Sequence, residues 1–189
     1  QSKVAGVQVI ALETKPRTVR MNAADFESYL DEENLSAILE ARKELGESSA
    51  PAVERYTKFA KAVVEVGEDG SAALIRAGWA DGVGQAFEIV PLDDPNRVYP
   101  GEPFRLKVLL DSEPLVGASI TGARASAETK EIVATTDERG ECTVRATAPG
   151  RWYVRALHMV HLDGDPEVSW ESYWATLTFE VHATPGASK

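Results

Sequence analysis

Cysteine is nearly absent from this chain. The single Cys142 excludes an internal disulfide and every zinc or iron–sulfur pattern built on several thiolates. It leaves the redox compartment open, since a chain without disulfides is at home on either side of a membrane. Long apolar runs are missing too: nothing approaches the roughly 20 residues that a membrane-spanning helix needs. Positive charge is in short supply, with 20 lysines and arginines against 30 acidic residues. The formal net charge of −10 works against binding to nucleic acid or anionic lipid. Histidine occurs only three times, as His158, His161 and His182, so any imidazole site must be drawn from these. There is no Gly-x-Ser-x-Gly elbow, no His-Glu-x-x-His helix and no phosphate-binding glycine loop, and the expectation is that the protein is not an enzyme. The first residue is Gln1, so any leader peptide is expected to have been removed already.

What is present is ordinary for a folded protein: 43% hydrophobic and 26% charged residues, enough to build a core and too apolar for wholesale disorder. The β-branched run Val4 to Leu12 predicts a largely buried strand, and Thr18 to Met21 resumes the pattern after Pro16. The period then changes. Asn22 is a helix cap, with Asp25 three residues on, and Phe26, Tyr29 and Leu30 fall at helical spacing. Leu35, Ile38, Leu39 and Arg42 continue it as far as Gly46, a C-terminal stop. Pro51 after Ser48 and Ser49 predicts another short helix through Val53 and Tyr56. From Phe59 to Val66 the chain reads as extended, Glu68-Asp69-Gly70 as a turn, Ala72 to Ala77 as a returning strand, and Ala86 to Val90 as one more.

Pro91 to Asn96 reads as a linker, with a domain boundary near residues 91 to 97. Beyond it, Phe104 to Leu110, Ala118 to Ile120, Ile132 to Thr136, Cys142 to Ala146, Trp152 to Leu157 and Ala175 to Val181 are short alternating runs. Turn residues separate them about every 8–12 positions, the mark of a β-sandwich. The expected fold is therefore mainly β. It comprises an N-terminal β-domain over residues 1–92 with a helical insertion at about 23–58, a sandwich over 97–183, and a tail over 184–189.

Pro114 to Ala118, Thr136-Asp137 with Gly140, and Pro149 to Ala156 resemble the transthyretin-like sandwich of carboxypeptidase regulatory domains. A wider resemblance rests on Asn22 to Leu30 with Glu33, Glu54 to Lys61, Phe87 to Leu92, Arg155 to Met159 and Trp170 to Glu180. These stretches look like the bacterial NikM-like family, labelled as the periplasmic component of nickel/cobalt uptake. The resemblance implies a periplasmic or extracellular location, two β-domains, a nickel or cobalt ion as cargo, and a membrane permease complex as partner. Members of that family begin with a His-Asp-Phe-Trp-like segment and a further pair of strands. Nothing like these precedes Val4, so the expectation is that the first domain is incomplete at its N-terminus or differs.

Nickel and cobalt favour imidazole with carboxylate or water. The one local cluster of such donors is His158 and His161 with Asp163, Asp165, Glu167 and Glu171, and His158, His161 and Glu171 are the candidate metal ligands. Residues i and i+3 of a strand point to opposite faces, so the two histidines share an ion only if the chain turns between them. By alternation His158 lies on the side of Trp152, Val154 and Ala156, where a core histidine is the simpler role. Asp163 to Glu167 lacks the spacing of a calcium loop and reads as a surface turn. The alternative to metal delivery is a binding or scaffold module that recognises a glycan or protein partner without metal, through a groove around Trp170, Tyr173 and Trp174.

Overall fold

The structure, a computed structural model, describes residues 6–66, 79–127 and 130–184. The expected turn at Glu68-Asp69-Gly70, the returning strand Ala72 to Ala77 and most of the expected tail lie outside the described residues. Among the described residues, eleven strands and two helices follow in chain order: β1 (Gly6–Glu13), β2 (Arg17–Met21), α1 (Ala23–Glu32), α2 (Ser36–Glu44), β3 (Ala52–Val66), β4 (Phe87–Pro91), β5 (Phe104–Leu110), β6 (Glu113–Pro114), β7 (Ser119–Arg124), β8 (Ile132–Thr135), β9 (Glu141–Val144), β10 (Gly150–His161) and β11 (Trp170–Val181). The fold is mainly β, with two sheets and two short helices. The larger sheet runs β1-β3-β11-β10-β7-β8, with β2 also paired to β3, and in the smaller one β5 pairs with β4, β6 and β9. The chain forms two compact units, one of residues 1–13, 59–156 and 175–189, the other of residues 14–58 and 157–174. Strands β3, β10 and β11 therefore contribute to both.

The first unit is a sandwich. Antiparallel registers pair Val9 with Val63, Val154 with Gly122, and Ile89 with Val108. Alternating residues from the two sheets meet in the core, where Phe104 of β5 packs on Phe179 of β11 at 4.9 Å between ring centroids. Trp152, Val154, Ala156, Leu177 and Leu106 are fully enclosed there, a side chain of valine or leucine size being worth roughly 1.5–3 kcal/mol relative to exposure. Gly122 has a specific reason to be glycine: a Cβ at that position would lie 2.5 Å from the Tyr153 carbonyl oxygen of the paired strand. Residues 87–91 and 104–110, on either side of the expected boundary at 91 to 97, pair with each other within this unit. The intervening stretch is held as well, since Asp93 takes both the Arg105 guanidinium and its backbone N–H.

Among the described residues of this unit, an ion pair is buried. The Lys61 ammonium of β3 bonds the Glu88 carboxylate of β4, both about 2% exposed. Glu88 also accepts the backbone N–H groups of Val83 and Gly84, at 2.8 and 3.1 Å, so its charge is compensated on several sides. Burial lowers the lysine's proton affinity and the carboxylate opposes that shift.

In the second unit, α1 and α2 cover a cluster of Phe26, Leu30, Ala52, Met159 and Trp170, against which Met21, Tyr29, Leu35, Ile38 and Leu39 pack. Asn22 caps α1 as its sequence predicts, its Oδ1 accepting the Asp25 N–H at 2.9 Å. The helical pattern read as one helix is broken at Asn34, whose φ of 57° ends α1 while the Leu35 N–H returns to the Leu30 carbonyl. Gly46, at φ 71°, ends α2 in the same way through Glu47 and Arg42. Arg42 is buried, its Nη2 donating to the carbonyls of Glu47 and Ala50 and its guanidinium lying 4.8 Å from the Phe26 ring centroid.

The short helix expected from Pro51 through Tyr56 is instead the start of β3. Residues 52–56 pair with β2, Met21 opposite Ala52 and Arg17 opposite Tyr56, and that non-local pairing outweighs the proline signal. Removing the partner of a buried charge is the expensive perturbation here. Lys61→Met should lose roughly 3–5 kcal/mol in urea unfolding. Adding Glu88→Gln, which keeps an acceptor for the Val83 and Gly84 amides, should recover a substantial part. Equal midpoints for the single and double variants would contradict this account of the pair.

Candidate functional site

Among the described residues, a groove of ≈ 240 Å³ in the second unit is lined by Val19, Met21, Tyr29, Glu54, Tyr56, Lys58 and Trp174. Period-two geometry assembles it. Glu54, Tyr56 and Lys58 share one parity of β3, and Val19 and Met21 of β2 stand opposite Glu54 and Ala52. Along this row the cover gives out: Ala52 and Glu54 are buried, Tyr56 is half-buried and Lys58 is exposed. Large side chains at the end of the row are thus left partly open.

Glu54 is the floor. It is 3% exposed, and its Oε1 accepts hydrogen bonds from the Tyr29 hydroxyl at 3.2 Å and from the Ser172 hydroxyl. Neither bond uses Oε2. Burial pushes this carboxyl above its ordinary value, while the Ser172 and Tyr29 hydroxyls and the positive charge of Lys58 oppose the shift. The walls are aromatic. Tyr29 stacks on Trp174 at 6.2 Å with 22° between ring planes. The Lys58 Nζ lies 5.4 Å from the Tyr56 ring centroid and 5.3 Å from that of Trp174, within cation–π range of both.

The residues expected to matter from sequence are distributed differently. Trp174 lines the groove. Trp170 does not: it is fully buried, 6.1 Å from Phe26 and in edge contact with His161 at 4.9 Å. Tyr173, of the other parity, stacks on His158 at 6.5 Å with 10° between planes. His158 keeps the parity of Trp152, Val154 and Ala156, but in this part of β10 Leu157 and Met159 are the buried residues, and His158 is only half-covered.

His161 sits between two carboxylates, its Nδ1 2.9 Å from Asp163 and its Nε2 3.4 Å from Glu47. Glu171 is engaged by Arg55, with Nε to Oε1 at 2.8 Å, and Arg55 also reaches Asp165 at 3.6 Å. Among the described residues, no group of three or more histidine, cysteine, aspartate or glutamate side chains is arranged to hold a metal ion. Cys142 is half-buried, and burial pushes its thiol up to about 11, which leaves it protonated and unreactive near neutrality.

Sequence reasoning passed over Tyr29, Glu54, Tyr56 and Lys58 as site residues. The usable signal was the spacing of Glu54, Tyr56 and Lys58 at i, i+2 and i+4, which the helical reading of that stretch concealed. A larger concavity of ≈ 520 Å³ in the first unit is bordered by Glu65, Arg151, Glu180 and His182. Its one phenyl ring, Phe179, belongs to the sandwich core, and the His182 imidazole lies against Tyr99 at 6.3 Å between ring centroids.

A carboxyl whose ionisation is costlier in the folded than in the unfolded chain leaves a pH signature. Below about 4.5, both states are protonated and Glu54 carries no ionic penalty; the penalty accumulates as pH rises from there through the raised folded value. Glu54→Gln should therefore gain thermal stability relative to the parent chain between pH 4 and pH 7. A melting-temperature gap that stays flat over that range would contradict the assignment.

No curated protein and no solved structure matches this chain. A family model described as a domain of unknown function, DUF4198, matches residues 2–160, a span that includes β1 to β9, both helices and nearly all of β10. On that match the chain belongs to the DUF4198 family.

Proposed function

We propose that this protein is a non-enzymatic binding module, working outside the cytoplasm, that recognises a glycan or protein partner at the groove of its second unit. The observation that carries the reading is the pairing of an aromatic wall, Tyr29, Tyr56 and Trp174, with a buried carboxylate, Glu54, that two hydroxyls hold in place. Binding sites combine apolar surface with a few fixed polar groups in this way, the rings supplying contact area and the polar atoms orientation. The rings are partly open, so a ligand buries their faces without unpacking the helical core. The extracytoplasmic placement draws on the resemblance to the NikM-like family.

The nickel or cobalt reading, with delivery to a permease complex, draws on that resemblance and on the donor types of His158, His161 and Glu171. In this chain His158, His161 and Glu171 are engaged with Tyr173, with Glu47 and Asp163, and with Arg55 respectively. The aromatic groove is therefore the better-supported site.

An array of glycans and peptides probed with the parent chain and with Trp174→Ala tests the reading. Ligands retained by the parent should bind the variant roughly tenfold more weakly or worse, the order expected when a stacking ring is removed. Ligands held equally by both proteins, or an array blank for the parent, would overturn it. A circular-dichroism melt of Trp174→Ala establishes that any loss arises from a folded variant.

A further inference from the structure

The groove already holds a cation, and it is the protein's own. Lys58 is an exposed side chain on a flexible stem, yet its Nζ rests over two rings, 5.4 Å from Tyr56 and 5.3 Å from Trp174. Tyr29 extends the wall by stacking on Trp174, and Glu54 supplies negative charge from below. Its Oε1 is committed to two hydroxyls, neither of which uses Oε2. Two rings within reach of one ammonium, and a carboxyl lining the same groove, make a cation site by elementary electrostatics. The ring quadrupoles present negative faces, and the acid supplies the countercharge.

We infer that the groove recognises a methylated organic ammonium group, which displaces the Lys58 ammonium from the Tyr56 and Trp174 rings. The inference rests on the binding reading above and names the ligand chemistry of the same site. A primary ammonium such as that of Lys58 is compact and strongly hydrated, so it gives up favourable water contacts when it settles against rings. A methylated nitrogen carries the same charge under an apolar skin. It loses less hydration and covers more of each ring, the basis of quaternary ammonium recognition by aromatic cages. The size also matches a head group: ≈ 240 Å³ falls below the roughly 300–1,000 Å³ of sites that enclose a whole drug-sized ligand. Lys58 then acts as a tethered competitor, occupying the rings when no ligand is present and withdrawing into solvent when one arrives. Its charge near Glu54 discourages weakly bound inorganic cations from entering.

Calorimetric titration of the full chain with choline, with a peptide carrying one trimethylated lysine, and with 3,3-dimethyl-1-butanol (the uncharged carbon counterpart of choline) tests this directly. Choline or the peptide should bind, and whichever does identifies a free or a peptide-borne source of the same group. The neutral alcohol should not. Lys58→Ala, which removes the tethered competitor from an exposed position, should bind on the order of fivefold tighter. Tyr56→Ala should abolish the heat. Equal binding of the alcohol overturns the ammonium inference while leaving a groove that binds apolar groups. Absence of binding by all three, in both the parent chain and Lys58→Ala, overturns the inference as well, and the array experiment then decides separately whether the groove binds anything. Weaker binding by Lys58→Ala shows that the lysine helps to hold the ligand rather than competing with it, and overturns the displacement.

Discussion

A β-strand offers two faces, and a long strand need not bury the same one throughout. In β3 the buried residues are Ala52 and Glu54 at the start, then Thr57, Phe59, Lys61 and Val63. In β10 they are Trp152, Val154 and Ala156, then Leu157 and Met159. In β11 they are Trp170 and Ser172, then Ala175, Leu177, Phe179 and Val181. Each strand changes parity once, close to where it passes from one compact unit to the other. This constraint shapes everything described above. Side chains that follow the last buried residue of a given parity keep their direction and lose their cover, so that Tyr56, Lys58 and Trp174 become a partly open row of large groups rather than core.

Buried charge is handled differently in the two units. Lys61 and Glu88 neutralise each other within the sandwich, with two backbone N–H groups completing the acid's shell. Such a pair does little for net stability once desolvation is counted, but losing one partner is costly. Glu54 has no buried cation paired with it among the described residues. Two hydroxyls steady one oxygen, and the positive charge that acts on the acid is that of the exposed Lys58. An acid that is dehydrated and only partly compensated is a poor stability device and a good binding one, because a cation of suitable shape recovers what folding gave up. The aromatic walls add a second attraction of the same sign.

Much of the architecture was legible in local pattern. Alternation marked most of the strands, Asn22 with Asp25 marked the start of α1, and Gly46 marked the end of α2, since capping and positive φ are short-range chemistry. Three features were not. The segment from Ala52 to Tyr56 carries a proline-led helix signal, and only its pairing with β2, some 30 residues back, makes it a strand. Trp170, Tyr173 and Trp174 look alike as neighbouring aromatics, yet parity and the cover supplied by α1 send them to core, to His158 and to the groove. The site itself is the least readable feature: Glu54 meets Tyr29 at a separation of 25 residues and Ser172 at 118, and no window along the chain contains all three.

Tryptophan makes the central claim directly observable. The chain has four, Trp79, Trp152, Trp170 and Trp174, of which Trp152 and Trp170 are fully buried and Trp174 lines the groove. In an indole ¹H–¹⁵N spectrum titrated with choline, with the Trp174 resonance assigned through Trp174→Phe, that one signal should move progressively while those of Trp152 and Trp170 hold their positions. A Trp174 signal that stays fixed at saturating choline, or a shift shared equally by the buried indoles, would contradict the account.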